Sequence, residues 1–399
     1  MTYRTLELQE EKLQRLSEAE LTTSEILSLQ ATGKFEIEPA SFLNGSQYGI
    51  RSRGWVGHVL AGEDLLVRIL PKVPVSDLFR MLEVAYGLRS FHFLDGETEI
   101  ESIEDLYERI VSILSRRVLD RSRKGLYRSY IPETDDLPFV RGRIDSVATA
   151  LNIMTGVPRV ACQYEEQTAD LEDNRLLLWT LHQVRRQSLV RKSVRRELDL
   201  ARRALAGTVT LDRCHPSDCV GRLYHRLNSD YAPMHGLCRF ILEQSGPGIE
   251  HGDRSFVPFE LNMRYLFESF VAEWLRENAP AGLTVRCKHN AHVDANFEMR
   301  ITVDILLVDE MTQSPIAVLD TKYKIAEHPQ ESDIHQIAFY AHEIGVKHAL
   351  LIYPSPPGTP LRINHGKDAR LGSLVFNIGA PLKEAGEAFL ASLTEVLAS

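Results

Sequence analysis

No stretch of the 399 residues approaches the roughly 20 consecutive apolar positions that a bilayer-crossing helix needs, so no transmembrane helix is expected. The opening residues, Met1-Thr2-Tyr3-Arg4-Thr5-Leu6-Glu7, carry no apolar signal core, which argues against export and for a cytoplasmic location. Cysteine is scarce: Cys162, Cys214, Cys219, Cys238 and Cys287 are odd in number and scattered, which excludes a disulfide framework and points to reduced, buried thiols. Cys214, His215 and Cys219 lie close together, but no second ligand pair at matching spacing supports a zinc site. A basic excess is missing too. The net charge of -9 argues against indiscriminate coating of nucleic acid by the whole surface, while leaving room for a local basic groove. Thr32-Gly33-Lys34 imitates the end of a phosphate-binding loop, but the earlier glycine is absent and a strand rather than a helix follows, so no Walker motif is present. Internal repeats and low-complexity tracts are likewise absent.

What is there fits a soluble multidomain α/β protein, with 44% hydrophobic and 25% charged residues and length enough for two or three cores. Residues 1–95 form a β-rich N-terminal domain: a short helix from Thr23 precedes strands at Lys34–Glu38, Tyr48–Ser52, Val56–Leu60 and Asp64–Leu70, which suggest a small barrel or curled sheet. Residues 96–250 form a mainly helical middle region. A helix near 76–85 with Leu78, Met81, Leu82 and Ala85 on one stripe leads into it, and a second runs from about Ser102 to Leu119. Gly142 within Leu137–Asp145 permits a bulge or close backbone approach. The stretch from His182 to Arg203 concentrates arginine and lysine on helix; it reads as a solvated face or as a contact for phosphates or an acidic partner. Gly246-Pro247-Gly248 marks a boundary, and residues 251–399 form the third domain.

That last domain holds the chemistry. Ile301-Thr302-Val303-Asp304-Ile305-Leu306-Leu307-Val308 is a strand apolar on both faces, so Asp304 in its middle requires a partner or a metal. After a turn, Ile316–Leu319 is again strand-like and runs into Asp320-Thr321-Lys322, where the two-residue spacing puts Asp320 and Lys322 on one face. Two carboxylates suffice to hold Mg²⁺ with water and phosphate oxygens, and a lysine beside them suits transition-state charge. In the next helix, Ile334, Ile337, Ala338 and Ala341 make the apolar stripe, leaving Gln336 and Tyr340, four apart, on another face. His289 and His292 precede the first strand, but a hard cation prefers oxygen. Strands at Ala349–Pro354 and Leu374–Ile378 and a closing helix near Leu382–Leu397 complete a mixed sheet.

The ordered set Asp304, Asp320-x-Lys322 and Gln336-x-x-x-Tyr340 resembles the PD-(D/E)xK nuclease superfamily and its RecB-like branch. An acid on a preceding helix often completes that site, and within Glu260–Leu275, read as helix, the candidate is Glu268. Further stretches, Met81–Gly87, Val140–Asp145, Leu171–Leu177, Leu266–Phe270 and Leu351–Pro354, resemble the McrC family, the nuclease subunits of McrBC-type restriction systems; Ile69-Leu70-Pro71-Lys72-Val73 is similar to longer members. The resemblance implies an Mg²⁺-dependent endodeoxyribonuclease, with Mn²⁺ as an alternative, whose metal is held by Asp304, Asp320 and Glu268. Lys322, Gln336 and Tyr340 would complete the catalytic set. It also implies a McrB-like AAA+ GTPase hexamer as partner, contacted by the N-terminal and middle regions and stimulated by this chain, and a DNA substrate that is methylated or otherwise modified. Two alternatives stand beside it: a self-sufficient defence or repair nuclease, and a non-enzymatic activator of the AAA+ partner.

Overall fold

The computed structural model describes residues 4–40, 47–62, 64–88, 102–186, 191–244, 249–251, 254–256, 259–292, 300–324, 328–365 and 369–398. Its contacts gather into two units where the sequence suggests three successive domains: Met1–Leu106 with Pro258–Ser399, and Tyr107–Val257 between them. The boundary expected at Gly246-Pro247-Gly248 lies outside the described residues.

The N-terminal segment splits into two sheets rather than one curled sheet. β1 (Arg4–Gln9) pairs in parallel with β6, while β2 (Gln14–Leu16) belongs to a second, three-stranded sheet of order β2-β4-β3. Between them α1 (Thr23–Ala31) opens one residue earlier than expected, on Thr22, whose side chain and that of Glu25 form a capping box. β3 (Phe35–Glu38), β4 (Tyr48–Ser52), β5 (Trp55–Ala61) and β6 (Leu65–Leu70) follow at the expected places. β6 alternates: Leu65, Val67 and Ile69 are buried while Leu66, Arg68 and Leu70 turn outward, as a strand covered on one face should. The first sheet has the order β1-β6-β5 and is completed by Glu260–Asn262 from the C-terminal segment, antiparallel to β5. That pairing is one reason the two ends of the chain share a unit. α2 (Val75–Ala85) buries its expected stripe of Leu78, Met81, Leu82 and Ala85.

In the second unit, α3 (Ile103–Lys124) leads to β7 (Ser129–Leu137), β8 (Arg143–Ile144), α4 (Ser146–Met154) and β9 (Val160–Thr168), whose strands form a sheet of order β7-β9-β8. Gly142 has φ +67°, and a Cβ there would stand 2.4 Å from the Gln163 carbonyl oxygen, so the close approach read from the sequence is real. α4 is apolar yet has no buried residue. α5 (Glu172–Arg186), α6 (Lys192–Ala206) and α7 (Tyr231–Gln244) make a helical core, and β10 (Ile249–His251) pairs with β11 (Arg254–Phe256). The basic stretch divides between α5 and α6, where part of its charge is neutralised locally: Arg185 pairs with Asp199 at 2.7 Å and Arg191 with Glu108 at 3.2 Å. All five cysteines are free thiols, four buried and Cys287 exposed.

Returning to the first unit, Glu260–Asn262 is strand β12 rather than the start of a helix, and Asn262 caps α8 (Met263–Asn278) by accepting from the N–H groups of Arg264 and Tyr265. β13 (Leu283–His292), β14 (Arg300–Asp309), β15 (Pro315–Thr321), α9 (Glu331–Ile344), β16 (His348–Tyr353), β17 (Arg362–His365), β18 (Ala369–Val375) and α10 (Leu382–Ala398) then build a six-stranded mixed sheet of order β13-β14-β15-β16-β18-β17. β13, β14 and β15 are antiparallel; β15, β16 and β18 are parallel. Every residue of β16 is buried, as a central strand covered on both faces requires. α9 packs Ile337 and Ala341 into a core with Val318, Ala349 and Leu351. α8 and α10 meet through aromatic rings: Phe376 lies 4.8 Å from Phe270, 4.9 Å from Trp274 and 5.1 Å from Phe389, centroid to centroid. Among the described residues no helix is long and apolar enough to cross a membrane.

Candidate functional site

β14 and β15 deliver the two aspartates to one place. Ile305 pairs with Leu319, so one step further along the antiparallel ladder Asp304 stands across from Asp320, and opposed residues present their side chains to the same face. The polar partner that an Asp in an apolar strand demands is Thr321: Asp304 Oδ2 accepts its N–H at 2.9 Å and its hydroxyl at 3.0 Å.

Asp320 is 3% exposed. Lys322 Nζ lies 2.6 Å from its Oδ2 as a close ion pair, and no other donor reaches this buried oxygen. Burial, then the charge of Asp304, push the Asp320 carboxyl above the ordinary carboxylate range, against the pull of Lys322. Burial also works against the Lys322 ammonium, but Asp320, Asp333 and Asp304 outweigh it and hold Lys322 positive. The ammonium donates to Gln336 Oε1 at 3.0 Å, and Gln336 Nε2 donates to the Tyr340 hydroxyl at 2.8 Å. The two residues singled out on α9 thus form a line of hydrogen bonds ending on Lys322.

Glu268 on α8 joins the same electrostatic neighbourhood. Burial and the Asp304 charge raise its carboxyl to about 7; Lys288, 3.9 Å away, opposes the shift and Asp320 adds to it. The structure therefore brings all six expected residues to one region. Among the described residues no three His, Cys, Asp or Glu side chains close into a ready-made metal cage. Mg²⁺ requires none: one or two carboxylates with water and phosphate oxygens hold it. The fit rests on the donor chemistry, since hard oxygens, one of them buried with only the Lys322 ammonium beside it, crowd negative charge that a divalent cation would relieve.

Several residues here went unread in the sequence. Asp333, in the first turn of α9, lies 2.7 Å from Lys324 Nζ and 3.7 Å from Lys322 Nζ, and is buried. Its signal was available, because Asp333, Gln336 and Tyr340 follow a helical stripe. Lys288 has φ +48° at the step where the β13–β14 pairing skips a residue, opposite Asp304. Its ammonium lies 4.3 Å from the centroid of the Tyr265 ring. Tyr353, at the end of β16, has a buried hydroxyl without a partner, pushed up to about 12 by burial and by the charges of Asp333 and Asp320. His289 sits half-buried on β13; the side chain of His292 lies outside the description.

The architecture and the site define a mixed-sheet α/β protein with paired aspartates and a lysine at the junction of antiparallel and parallel strands. Residues 50–354 match the family model described as McrBC 5-methylcytosine restriction system component, and the chain belongs to that family, which bears out the resemblance to McrC proteins drawn from the sequence. Type IV methyl-directed restriction enzyme EcoKMcrBC of Escherichia coli (strain K12) is 26% identical over 264 residues, 63% of this chain and 74% of that protein. The fold is also similar to that of a chain in the refined half-complex from a tetradecameric assembly of Thermococcus gammatolerans McrB AAA+ hexamers with bound McrC. The TM-score is 0.57 at 18% identity, covering 98% of this chain and 100% of that one.

Proposed function

We propose that this chain is the DNA-cutting subunit of a McrBC-like, modification-dependent restriction system, with its nuclease centre in a PD-(D/E)xK-type core formed by β13 to β18 and α8 to α10. The observation that carries the reading is the convergence of Asp304, Asp320 and Lys322, with Gln336 and Tyr340 behind the lysine. Asp304 and Asp320 would hold Mg²⁺ or Mn²⁺, with Glu268 alongside. The ion, when bound, supplies Lewis acidity toward water and a phosphate oxygen. Lys322, kept charged and directed by Gln336, is placed to stabilise the negative charge that develops as the phosphodiester is attacked. Thr321 fixes Asp304 by two hydrogen bonds, so its carboxylate needs no rearrangement on loading.

The proposed partner is a McrB-like AAA+ GTPase hexamer, bound and stimulated by this chain in the cytoplasm, and the proposed substrate is methylated or otherwise modified DNA. The second unit supports a partner contact: Phe139, Val140, Val147, Leu151 and Ile153 are exposed, and Met154 is 85% exposed, an apolar surface that water alone does not favour.

The test is reconstitution with a McrB-like AAA+ GTPase, on methylated DNA with GTP and Mg²⁺. Wild type should cut, Asp320→Ala should not, and Lys322→Ala should lose cutting while still binding and stimulating the GTPase. Equal cutting by wild type and Asp320→Ala would overturn the chemistry.

A further inference from the structure

Lys72 lies in the Ile69–Val73 run, which the proposed chemistry does not use. Its side chain is 12% exposed, and its ammonium stands 4.1 Å over the centroid of the Tyr323 ring and 2.6 Å from Glu11 Oε2. The backbone N–H of Lys72 donates to Glu10 Oε2 at 3.1 Å. Tyr323, the residue after Lys322, is 2% exposed, and its buried hydroxyl has no hydrogen-bond partner, so its ring contacts rather than its hydroxyl hold it. The second of those contacts is Phe267, at 5.9 Å between centroids, the residue before Glu268. Glu11 reaches α8 as well, with its Oε1 lying 3.4 Å from Arg264 in the first turn.

These contacts close a circuit. It runs from Arg264 on α8 through Glu11 and Lys72 to Tyr323, and from Tyr323 through Phe267 back to α8. One arm ends beside Glu268 and the other beside Lys322. Burial and the charges of Glu10, Glu11 and Asp77 push the Tyr323 hydroxyl far up, which removes it as an acid or base near neutral pH and leaves the ring as the working part.

We propose that Lys72 is a positioning residue for the carboxylate site: by clamping Tyr323 and, through Glu11, the first turn of α8, it sets the spacing between Glu268 and the Asp320–Lys322 pair. The inference rests on reading those carboxylates as metal ligands. It gives the N-terminal sheet a role in the site.

The experiment is calorimetric titration of the full-length chain with Mn²⁺, which reads binding without turnover, alongside melting temperatures in metal-free buffer. Lys72→Ala should weaken Mn²⁺ binding by about threefold to tenfold, at or below the low end of the loss seen when a direct partner of a metal ligand is removed, because Lys72 acts one residue further out. Lys72→Arg should stay within about twofold of wild type, because a guanidinium keeps both the ring stack and the ion pair. Tyr323→Phe should bind as wild type and Tyr323→Leu as Lys72→Ala. Should Lys72→Ala fail to fold, Lys72→Met, which keeps the apolar stem, takes its place. Asp320→Ala separates the two ideas. Unchanged Mn²⁺ binding in that variant defeats the site itself, whereas loss of binding there with wild-type affinity in folded Lys72→Ala or Lys72→Met defeats only the clamp. A lower melting temperature with unchanged Mn²⁺ affinity also defeats the clamp.

Discussion

Lys322 Nζ donates to Gln336 Oε1 at 3.0 Å, and this contact decides which way the Gln336 amide points. An ammonium can only donate, so the amide oxygen must face the lysine and its NH₂ must face away, where Tyr340 accepts from it at 2.8 Å. The glutamine is thereby locked at both ends. Under the proposed chemistry, which asks Lys322 to meet a developing charge, that lock is what Gln336 would contribute from α9.

Cleavage by the assembled complex should therefore show strong coupling between the two positions. Lys322→Ala should lower the single-turnover rate by on the order of a hundredfold or more, as expected for a group that stabilises transition-state charge. Gln336→Ala, which removes one hydrogen bond to a charged group, should cost about tenfold. The double variant should be no slower than Lys322→Ala, because the glutamine acts only through the lysine. Tyr340→Phe should resemble a mild form of Gln336→Ala. Additive losses in the double variant would mean that Gln336 contacts DNA or metal by itself.

The parts of this site that could be read in the sequence are those that break a local rule. Asp304 interrupts an apolar strand, Asp320 and Lys322 share a strand face, and Gln336 and Tyr340 share a helix face; each is a short-range pattern. Asp333 obeys a rule instead, since an acid in the first turn of a helix is explained by the helix dipole, and so its place alone does not mark it as a site residue. β12 reads as helix in sequence because its three residues abut α8, while its partner β5 lies about two hundred positions earlier and leaves no mark on the local pattern. A still longer separation in sequence hides Lys72 from Tyr323. α4 shows a further limit: apolar spacing identifies a helix face that seeks cover, but Val147, Leu151 and Met154 remain exposed within the chain.

Glu10 should make the fold's stability depend on pH in an uncommon direction. It is 3% exposed, one oxygen accepts the Lys72 N–H, and the other is buried without a donor. Burial, resisted by Lys72, raises its carboxyl from 4.5 to about 7. The folded chain therefore holds this proton over a range where the unfolded chain releases it. The group's contribution is fully present below the unfolded value and is lost as pH rises through the folded one. Glu10→Gln removes the titration. Its unfolding free energy relative to wild type, from denaturant titration, should be higher at about pH 8 than at about pH 4.5, by an amount bounded at roughly 3 kcal/mol. The misfit of the glutamine NH₂ is the same at both pH values, so the change between them is the readout. A difference that does not move with pH would show that Glu10 titrates normally.

Gly386 sits inside α10, where glycine costs a helix about 1 kcal/mol relative to alanine, so its presence needs a reason. The reason is Trp274 of α8. A Cβ on residue 386 would stand 2.2 Å from its Cζ2 and 2.9 Å from its Cη2, well inside contact distance. The indole has little room to retreat, because its ring packs edge-on against Phe376 at 4.9 Å and Phe389 at 6.1 Å. Gly386→Ala therefore sets a gain in helix propensity against overpacking, which typically costs about 1–3 kcal/mol. With three rings wedged together overpacking should win, and the guanidinium midpoint should fall. The double variant Gly386→Ala with Trp274→Phe, which trades the indole for a smaller ring, should recover part of that loss relative to Trp274→Phe alone. If Gly386→Ala instead raises the midpoint, α8 and α10 do not approach as closely as the Trp274 contacts indicate.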